Sequence, residues 1–161
     1  MTSTVTRAWQ VLAEVMDPEI PVLSVLDLGI IRDVVESSDG HRVTVSVSPT
    51  YSGCPATEVI VADVRSALGA TYDDVDVRVQ LSPPWTTNWI SDAGRAKLRE
   101  FGIAAPNGRA TLPLIGDDRP EACPRCGSPE VELLAGFGST PCKALWRCVS
   151  CREPFDYFKV H

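Results

Sequence analysis

The sequence predicts an α+β fold: a small two-layer domain with the element order α-β-β-α-β-α, followed by a four-cysteine zinc-ribbon-like domain. Three observations predict it. Valines alternate with polar residues in two short segments, and apolar residues recur at helical spacing in three others. Two Cys-X-X-Cys pairs lie near the end of the 161-residue chain. We expect the first domain at residues 1–103, a linker at 104–120 and the zinc-ribbon-like domain at 121–161.

The first half of the predicted domain is a helix followed by a hairpin. A helix is predicted over residues 4–16, because four apolar residues spaced four, three and four apart share one face. These residues are Val5, Trp9, Leu12 and Met16. Residues 29–36 form the next predicted element, a strand, and the run Ser37–Gly40 has the composition of a turn. Valines at positions 43, 45 and 47 then predict a second, half-buried strand paired with the first.

The second half adds a helix, a strand and a helix. Proline is favoured at the first helical position, so Pro55 predicts a helix start, and Gly69 predicts its end. Alternating apolar residues from 75 to 81 predict the third strand. Ser91 predicts an N-cap for the last helix, in which Leu98 and Phe101 pack together at a spacing of three.

The metal-binding motif is the strongest local signal. Cys123 and Cys126 form one Cys-X-X-Cys pair, and after 21 residues Cys148 and Cys151 form the other. Two such pairs predict a tetrahedral four-thiolate site, most often structural zinc, and an iron or iron–sulfur centre is the alternative. Four thiolates leave no open position for a water molecule, so we expect a structural role.

Two cysteines lie outside this motif, and each has two interpretations. Cys54 precedes the predicted helix start at Pro55, where the helix dipole stabilises a thiolate that binds a soft metal or reacts; a plain helix cap explains the spacing equally well. Cys142 is either a small buried residue or an exposed thiol beside Lys143. The acidic pair Asp17 and Glu19 lies in a loop that either approaches Cys54 or is solvated.

Composition and the remaining motifs limit the function. The net charge of −6 argues against nucleic-acid binding, and no membrane span or export signal is recognisable, so we expect a cytoplasmic protein. The two histidines and the missing phosphate loops give no support to independent catalysis. Trp85 and Trp89 lie in a proline-containing loop and either contact a partner or cover the end of the core.

The front domain resembles the MIP18-like (DUF59) domain of iron–sulfur assembly factors. The resemblance rests on Asp17–Pro21, Asp27–Ile31 and Ser52–Pro55. Three later sequence segments narrow the resemblance to the PaaD (PaaJ) family, the small accessory proteins encoded with the phenylacetyl-CoA 1,2-epoxidase. These segments are Leu81–Ile90, Phe137–Ala144 and Cys151–Lys159. The resemblance covers essentially the whole chain, and the three later segments are more specific to the family than the earlier ones.

The resemblance implies a non-catalytic accessory protein of aerobic phenylacetate catabolism. Its implied task is iron–sulfur cluster assembly for the reductase component, and its partners are the reductase and oxygenase components. In this first hypothesis Cys54 holds iron or a cluster transiently, with Cys142, Asp17 and Glu19 as further candidates. A homodimer would bring two Cys54 thiols together.

The second hypothesis is a structural adaptor that holds the epoxidase components together. In it zinc only folds the tail, and the tryptophan loop contacts the oxygenase or the reductase. A third hypothesis is an independent thiol enzyme that uses Cys54 or Cys142. The absence of enzyme signatures elsewhere in the sequence weighs against this third one.

Overall fold

The computed structural model describes residues 6–51, 53–106 and 118–160. These residues belong to two compact units, Met1–Trp85 and Thr86–His161. The last helix of the predicted first domain clusters with the second unit, although the sequence places the boundary after residue 103. The predicted domain boundaries therefore stay a prediction. No helix in the described ranges is both long and apolar enough to cross a bilayer.

The first unit is a three-stranded sheet with two helices. Its elements are α1 (Arg7–Leu12), β1 (Ile31–Glu36), β2 (Arg42–Val47), α2 (Ala56–Gly69) and β3 (Asp74–Val79). The strand order is β1-β2-β3; β1 and β2 form the predicted antiparallel hairpin, and β3 runs parallel to β2. Parallel neighbours need a long crossover connection, and α2 provides it.

The core of the first unit lies between the sheet and its helices. The three alternating valines of β2 are buried as predicted, and so is the predicted apolar stripe of α2 except for Ala67, which is half-buried. The buried residues are Val43, Val45, Val47, Ile60, Val64 and Leu68. The edge strand β3 departs from the prediction, because only Val77 of its alternating residues is buried, whereas Val79 and Leu81 are exposed. An edge strand has one neighbour only, so its end is left uncovered.

The first helix is shorter than predicted. It ends at Leu12, and Met16 is 39% exposed instead of lying on the buried face. The reason is a competing backbone pairing, because Met16 forms a β-bridge with Ser24 and the N–H of Val25 donates to the carbonyl of Val15. Val5 lies outside the described residues.

The second unit begins with a single 3₁₀ turn at Thr87–Trp89 and the helix α3 (Asp92–Glu100). Ser91 caps α3 as predicted, since its hydroxyl accepts the N–H of Gly94 at 2.9 Å. Phe101 is exposed, whereas Leu98 is buried, and the predicted packing of these two side chains stays a prediction. The helix ends before Phe101, and Gly102 then turns the chain at a φ of 86°.

An antiparallel sheet in the order β4-β5-β6 completes the second unit. Its strands are β4 (Val131–Ala135), β5 (Lys143–Cys148) and β6 (Pro154–Phe158). The predicted linker begins inside structure, because Ala104 forms a bridge with Tyr157; residues 107–117 of this linker lie outside the described ranges. The small buried cluster consists of Ala104, Cys123, Cys148, Phe155 and Tyr157.

Candidate metal centre and thiol site

The two Cys-X-X-Cys pairs form two knuckles of matching backbone geometry. In the first, the N–H of Cys123 donates to the carbonyl of Ser128; in the second, the N–H of Cys148 donates to the carbonyl of Glu153. Each first cysteine sulfur also accepts a backbone N–H at 3.4 Å, from Arg125 and from Cys151 respectively. Local hydrogen bonding therefore orients the thiol groups.

The four sulfurs converge on one point. Their Sγ atoms all lie within 4.8 Å of one another. The Sγ atoms of Cys123 and Cys151 are 3.8 Å apart, and those of Cys126 and Cys148 are 3.5 Å apart. A tetrahedral ion with metal–sulfur bonds of about 2.3 Å places its ligands about 3.8 Å apart. The donor set therefore fits one tetrahedral ion with an affinity for thiolates.

Electrostatics of the bare thiols supports this conclusion. The backbone N–H of Cys151 lowers the pKa of Cys148 to about 6. Burial of Cys148 opposes this shift, and the Cys126 thiol adds to it. The pKa of Cys151 is raised to about 12: the N–H of Glu153 opposes this rise, and burial together with the neighbouring sulfurs causes it. One thiolate thus forms readily and makes the next costly, so a cation is needed to hold all four.

The residue after each knuckle has a left-handed backbone. Gly127 has a φ of 76°, as the composition of the first knuckle suggests, and Arg152 has a φ of 64° at the equivalent place in the second. A side chain costs energy in this conformation. Arg152 is not among the residues predicted from the sequence, although its position after Cys151 repeats that of Gly127 after Cys126.

Cys54 lies immediately before α2. Pro55 already has helical dihedral angles, and the carbonyl of Cys54 accepts the N–H of Thr57 at 3.1 Å. The residue is 9% exposed, and the Thr50 hydroxyl contacts its Sγ at 4.0 Å. A cavity of about 180 Å³ lies beside this loop and is lined by Thr50, Tyr51 and other residues of the first unit. The Cys54 thiol therefore contacts Thr50, and Thr50 in turn lines the cavity.

The acidic loop is a structured turn. Asp17 is buried, and its Oδ1 accepts the N–H groups of Glu19 at 2.8 Å and Ile20 at 2.7 Å. Downstream, Asp27 accepts the N–H of Ser24, whose hydroxyl accepts the N–H of Asp27 in return. These contacts fix the loop. Handling of iron by Asp17 and Glu19 stays a prediction.

Cys142 is buried in the second unit. It is 4% exposed, and its Sγ lies 3.0 Å from the Thr140 hydroxyl. The adjacent Lys143 is also buried, and its ammonium group lies 3.7 Å from Asp156. The interpretation as an exposed thiol is therefore wrong, because this part of the chain is covered; a role for Cys142 with Cys54 stays a prediction.

The two tryptophans have different surroundings. Trp85 is 5% exposed, and its Nε1 donates to the carbonyl of Leu28 at 2.8 Å. The predicted partner contact of Trp85 is therefore corrected: its ring covers the core of the first unit. Trp89 is half-buried, and its predicted partner contact stays a prediction.

Comparisons with known families divide the chain in the same way. Residues 6–81 match the family described as iron–sulfur cluster assembly protein, and residues 108–159 match the PaaD zinc beta ribbon domain. The first match includes Cys54, and the second includes all four cysteines of the metal centre. The four-cysteine centre is thus part of a ribbon domain in a recognised family.

Individual relatives agree with these matches. The chain is 48% identical over 160 residues to an Escherichia coli protein that carries the name of a 1,2-phenylacetyl-CoA epoxidase subunit; the match covers 96% of this chain and 92% of the relative. It is 36% identical over 91 residues to a Porphyromonas gingivalis Fe-S protein maturation auxiliary factor, covering 55% of this chain and 85% of that protein.

A solved structure supports the DUF59-like fold. The crystal structure of a DUF59 domain from Bacillus anthracis has a TM-score of 0.53 and 26% sequence identity, and the match covers 56% of this chain and 87% of that one. The expected DUF59-like fold, followed by a four-cysteine ribbon, is confirmed.

Proposed function

Because the chain belongs to the PaaD family of phenylacetyl-CoA epoxidase components, we propose that it is a non-catalytic accessory protein for iron–sulfur cluster maturation. In this proposal the acceptor is the iron–sulfur reductase of the epoxidase system. Relatives that match about half of the chain are named as iron–sulfur maturation factors, which supports the general role.

One observation carries the proposal: the chain has two kinds of thiol site. The four sulfurs of the ribbon are close enough together to hold one ion, for which zinc is the best candidate, and four thiolate ligands would leave no free position for iron or a cluster. Cys54 is the only cysteine before residue 123, and it stands alone at the start of α2. Zinc would therefore stabilise the ribbon, and Cys54 would bind the iron or the cluster that is transferred.

A single thiolate suits transfer because it holds cargo weakly. Cys54 supplies one ligand to iron or to a cluster, and the other ligands come from a second copy of the chain, from a small thiol or from the acceptor. In the transfer step the iron–sulfur bond to Cys54 breaks as a bond to an acceptor cysteine forms. The acceptor thiol gives up its proton and the Cys54 thiolate takes one, so no oxidant or reductant is required.

The test is co-expression of the chain with the reductase, followed by anaerobic purification of both. We expect Cys54→Ser to lower the iron, sulfide and visible absorbance of the reductase, whereas the control variant Glu58→Gln, at an exposed position of α2, leaves them unchanged. Zinc content of both variants should stay at one per chain. A reductase fully loaded by the Cys54→Ser chain would contradict the proposal.

A second candidate, a structural adaptor, is favoured by exposed apolar side chains on the second unit. Phe137 is 72% exposed, and Leu133 and Leu134 of the edge strand β4 are also exposed. An adaptor would bind epoxidase components in a stoichiometric complex that survives Cys54→Ser and is lost in Phe137→Ala. Size-exclusion chromatography of the purified components separates the two candidates.

A further inference from the structure

The second unit contains a cavity of about 410 Å³ between α3 and the first knuckle. This volume is in the range of small-molecule sites. Of the four metal-centre cysteines only Cys123 lines it, so the cavity is separate from the space between the four sulfurs. Two arginines of α3, Arg95 and Arg99, form one wall.

Arg95 is held in a fixed position by neutral acceptors. Its guanidinium donates at 2.8 Å to the carbonyl of Pro106 and at 2.8 Å to the carbonyl of Thr87. A guanidinium has five N–H donors, so these bonds leave others for a ligand. Within the described part of the chain no carboxylate pairs with Arg95, and its half-buried charge is not neutralised.

Arg99 adds a second positive charge one helical turn later. Residues four apart lie on the same face of a helix, and two like charges at this spacing destabilise it. Arg99 makes no ion pair with another described residue, and it is exposed. An anion in the cavity would contact both guanidinium groups and remove their repulsion.

The rest of the lining selects the kind of anion. Ala105, Ala122 and Gly127 offer small apolar surfaces, and Glu121 is the acidic residue among the described lining residues. The two guanidinium groups outnumber the one carboxylate, so these side chains favour an anion. The metal centre reaches the lining at Cys123, and zinc with four thiolates would carry a charge of −2, which repels a dianion more strongly than a monoanion. Guanidinium groups match the planar geometry of a carboxylate, and the small apolar residues accommodate a short hydrocarbon group beside it.

We infer that this cavity binds a carboxylate attached to a short apolar group, with Arg95 and Arg99 as its recognition residues. Two sources share this chemistry: a free small organic acid, and the C-terminal residue of a partner polypeptide. The site is independent of the handling of iron by Cys54, because it involves neither that residue nor the first unit.

The experiment titrates the zinc-loaded full chain with acetyl-Gly-Ala-Leu carrying a free carboxylate, and with the same peptide as its amide. We expect the carboxylate form to bind more tightly and its affinity to fall with added salt. Propionate and inorganic phosphate are the other probes. Propionate binding as tightly as the peptide identifies the small acid as the source, whereas tighter binding of the peptide identifies a chain terminus.

Variants test the residues. Arg99→Gln should weaken binding of the carboxylate peptide about tenfold, since a charge-assisted hydrogen bond is lost. Arg125→Gln, an exposed arginine of the first knuckle outside the lining, should leave it unchanged. Equal binding of acid and amide peptides, or a preference for phosphate, would overturn the inference.

A second measurement keeps the inference testable if Arg99→Gln loses its zinc or its fold. Amide shifts of the wild-type chain should move at Ala105, Ala122 and Gly127 on addition of the carboxylate peptide. Absence of these changes at saturating peptide would also refute the inference.

Discussion

Removing one ligand of the metal centre should unfold the second unit while the first unit stays folded. Cys148 is fully buried and belongs to the small cluster, in which Cys123 is a second cysteine of the metal centre. Two of the five cluster residues are therefore metal ligands. Without the metal, little apolar surface remains to stabilise this three-stranded sheet.

Zinc binding contributes as much free energy as the folding of a whole domain, so loss of a metal ligand should unfold the second unit. A structural zinc site contributes about 10–16 kcal/mol of apparent binding free energy, whereas a folded domain is stable by about 5–15 kcal/mol. Loss of a residue that merely supports a ligand costs about 10- to 100-fold in metal affinity, and Cys148→Ser removes the ligand itself. We therefore expect Cys148→Ser to lower the zinc affinity of the chain by about 100-fold or more.

The assay combines zinc release to a chelator with near-ultraviolet circular dichroism. The rings of Trp146 and Tyr157 meet edge to face, with centroids 6.4 Å apart, so their signal reports packing of the second unit. Cys142→Ser is the matched control, because Cys142 is a buried cysteine of the same unit outside the metal centre. A Cys148→Ser chain with wild-type zinc affinity and an unchanged aromatic signal would refute the reasoning.

Three further predictions concern stability. Tyr72 donates to Glu36 at 2.6 Å and lowers the pKa of this carboxyl, so Tyr72→Phe should cost about 1–2 kcal/mol at neutral pH in urea unfolding. Because the pKa of Glu36 is lower in the folded state than in the unfolded state, the stabilisation is complete above the unfolded pKa and is lost as the pH falls through the folded pKa. The free energies of unfolding of wild type and variant should therefore converge below about pH 4, and a difference that persists there would contradict this origin. Trp85→Ala should destabilise the first unit by about 3–5 kcal/mol in thermal unfolding, because it removes a buried ring, and an unchanged melting temperature would speak against burial. Arg152→Gly should slow zinc loss to a chelator by relieving about 1 kcal/mol of left-handed strain, whereas Arg125→Gly, where φ is not positive, should not; faster loss from Arg152→Gly would oppose this account.

Much of the fold was predictable because local patterns report local structure. The alternation in β2 and the apolar stripe of α2 each repeat with the period of their element, and both are buried as predicted except for Ala67. Met16 shows the limit of this reasoning. It continues the helical spacing, but a bridge to Ser24 competes for its backbone, and no local period contains that pairing.

The metal centre was predictable and the burial of single side chains was not. Cys-X-X-Cys spacing brings two sulfurs together within one turn, so sequence alone identified the four ligands. The burial of Trp85 and Cys142 depends on residues distant in sequence: Trp85 bonds to the carbonyl of Leu28, 57 positions earlier. The exposure of a side chain depends on which distant residues pack against it in the folded protein. The composition of a loop does not specify those residues.

The sequence by itself determined the element types, the four ligands and the isolated position of Cys54, because these follow from short-range spacing. Only the tertiary structure decided which tryptophan is covered and that Arg95 and Arg99 face a cavity beside the first knuckle. Those outcomes depend on segments far apart in the chain. Packing, unlike periodicity, is decided only when every neighbour is in place.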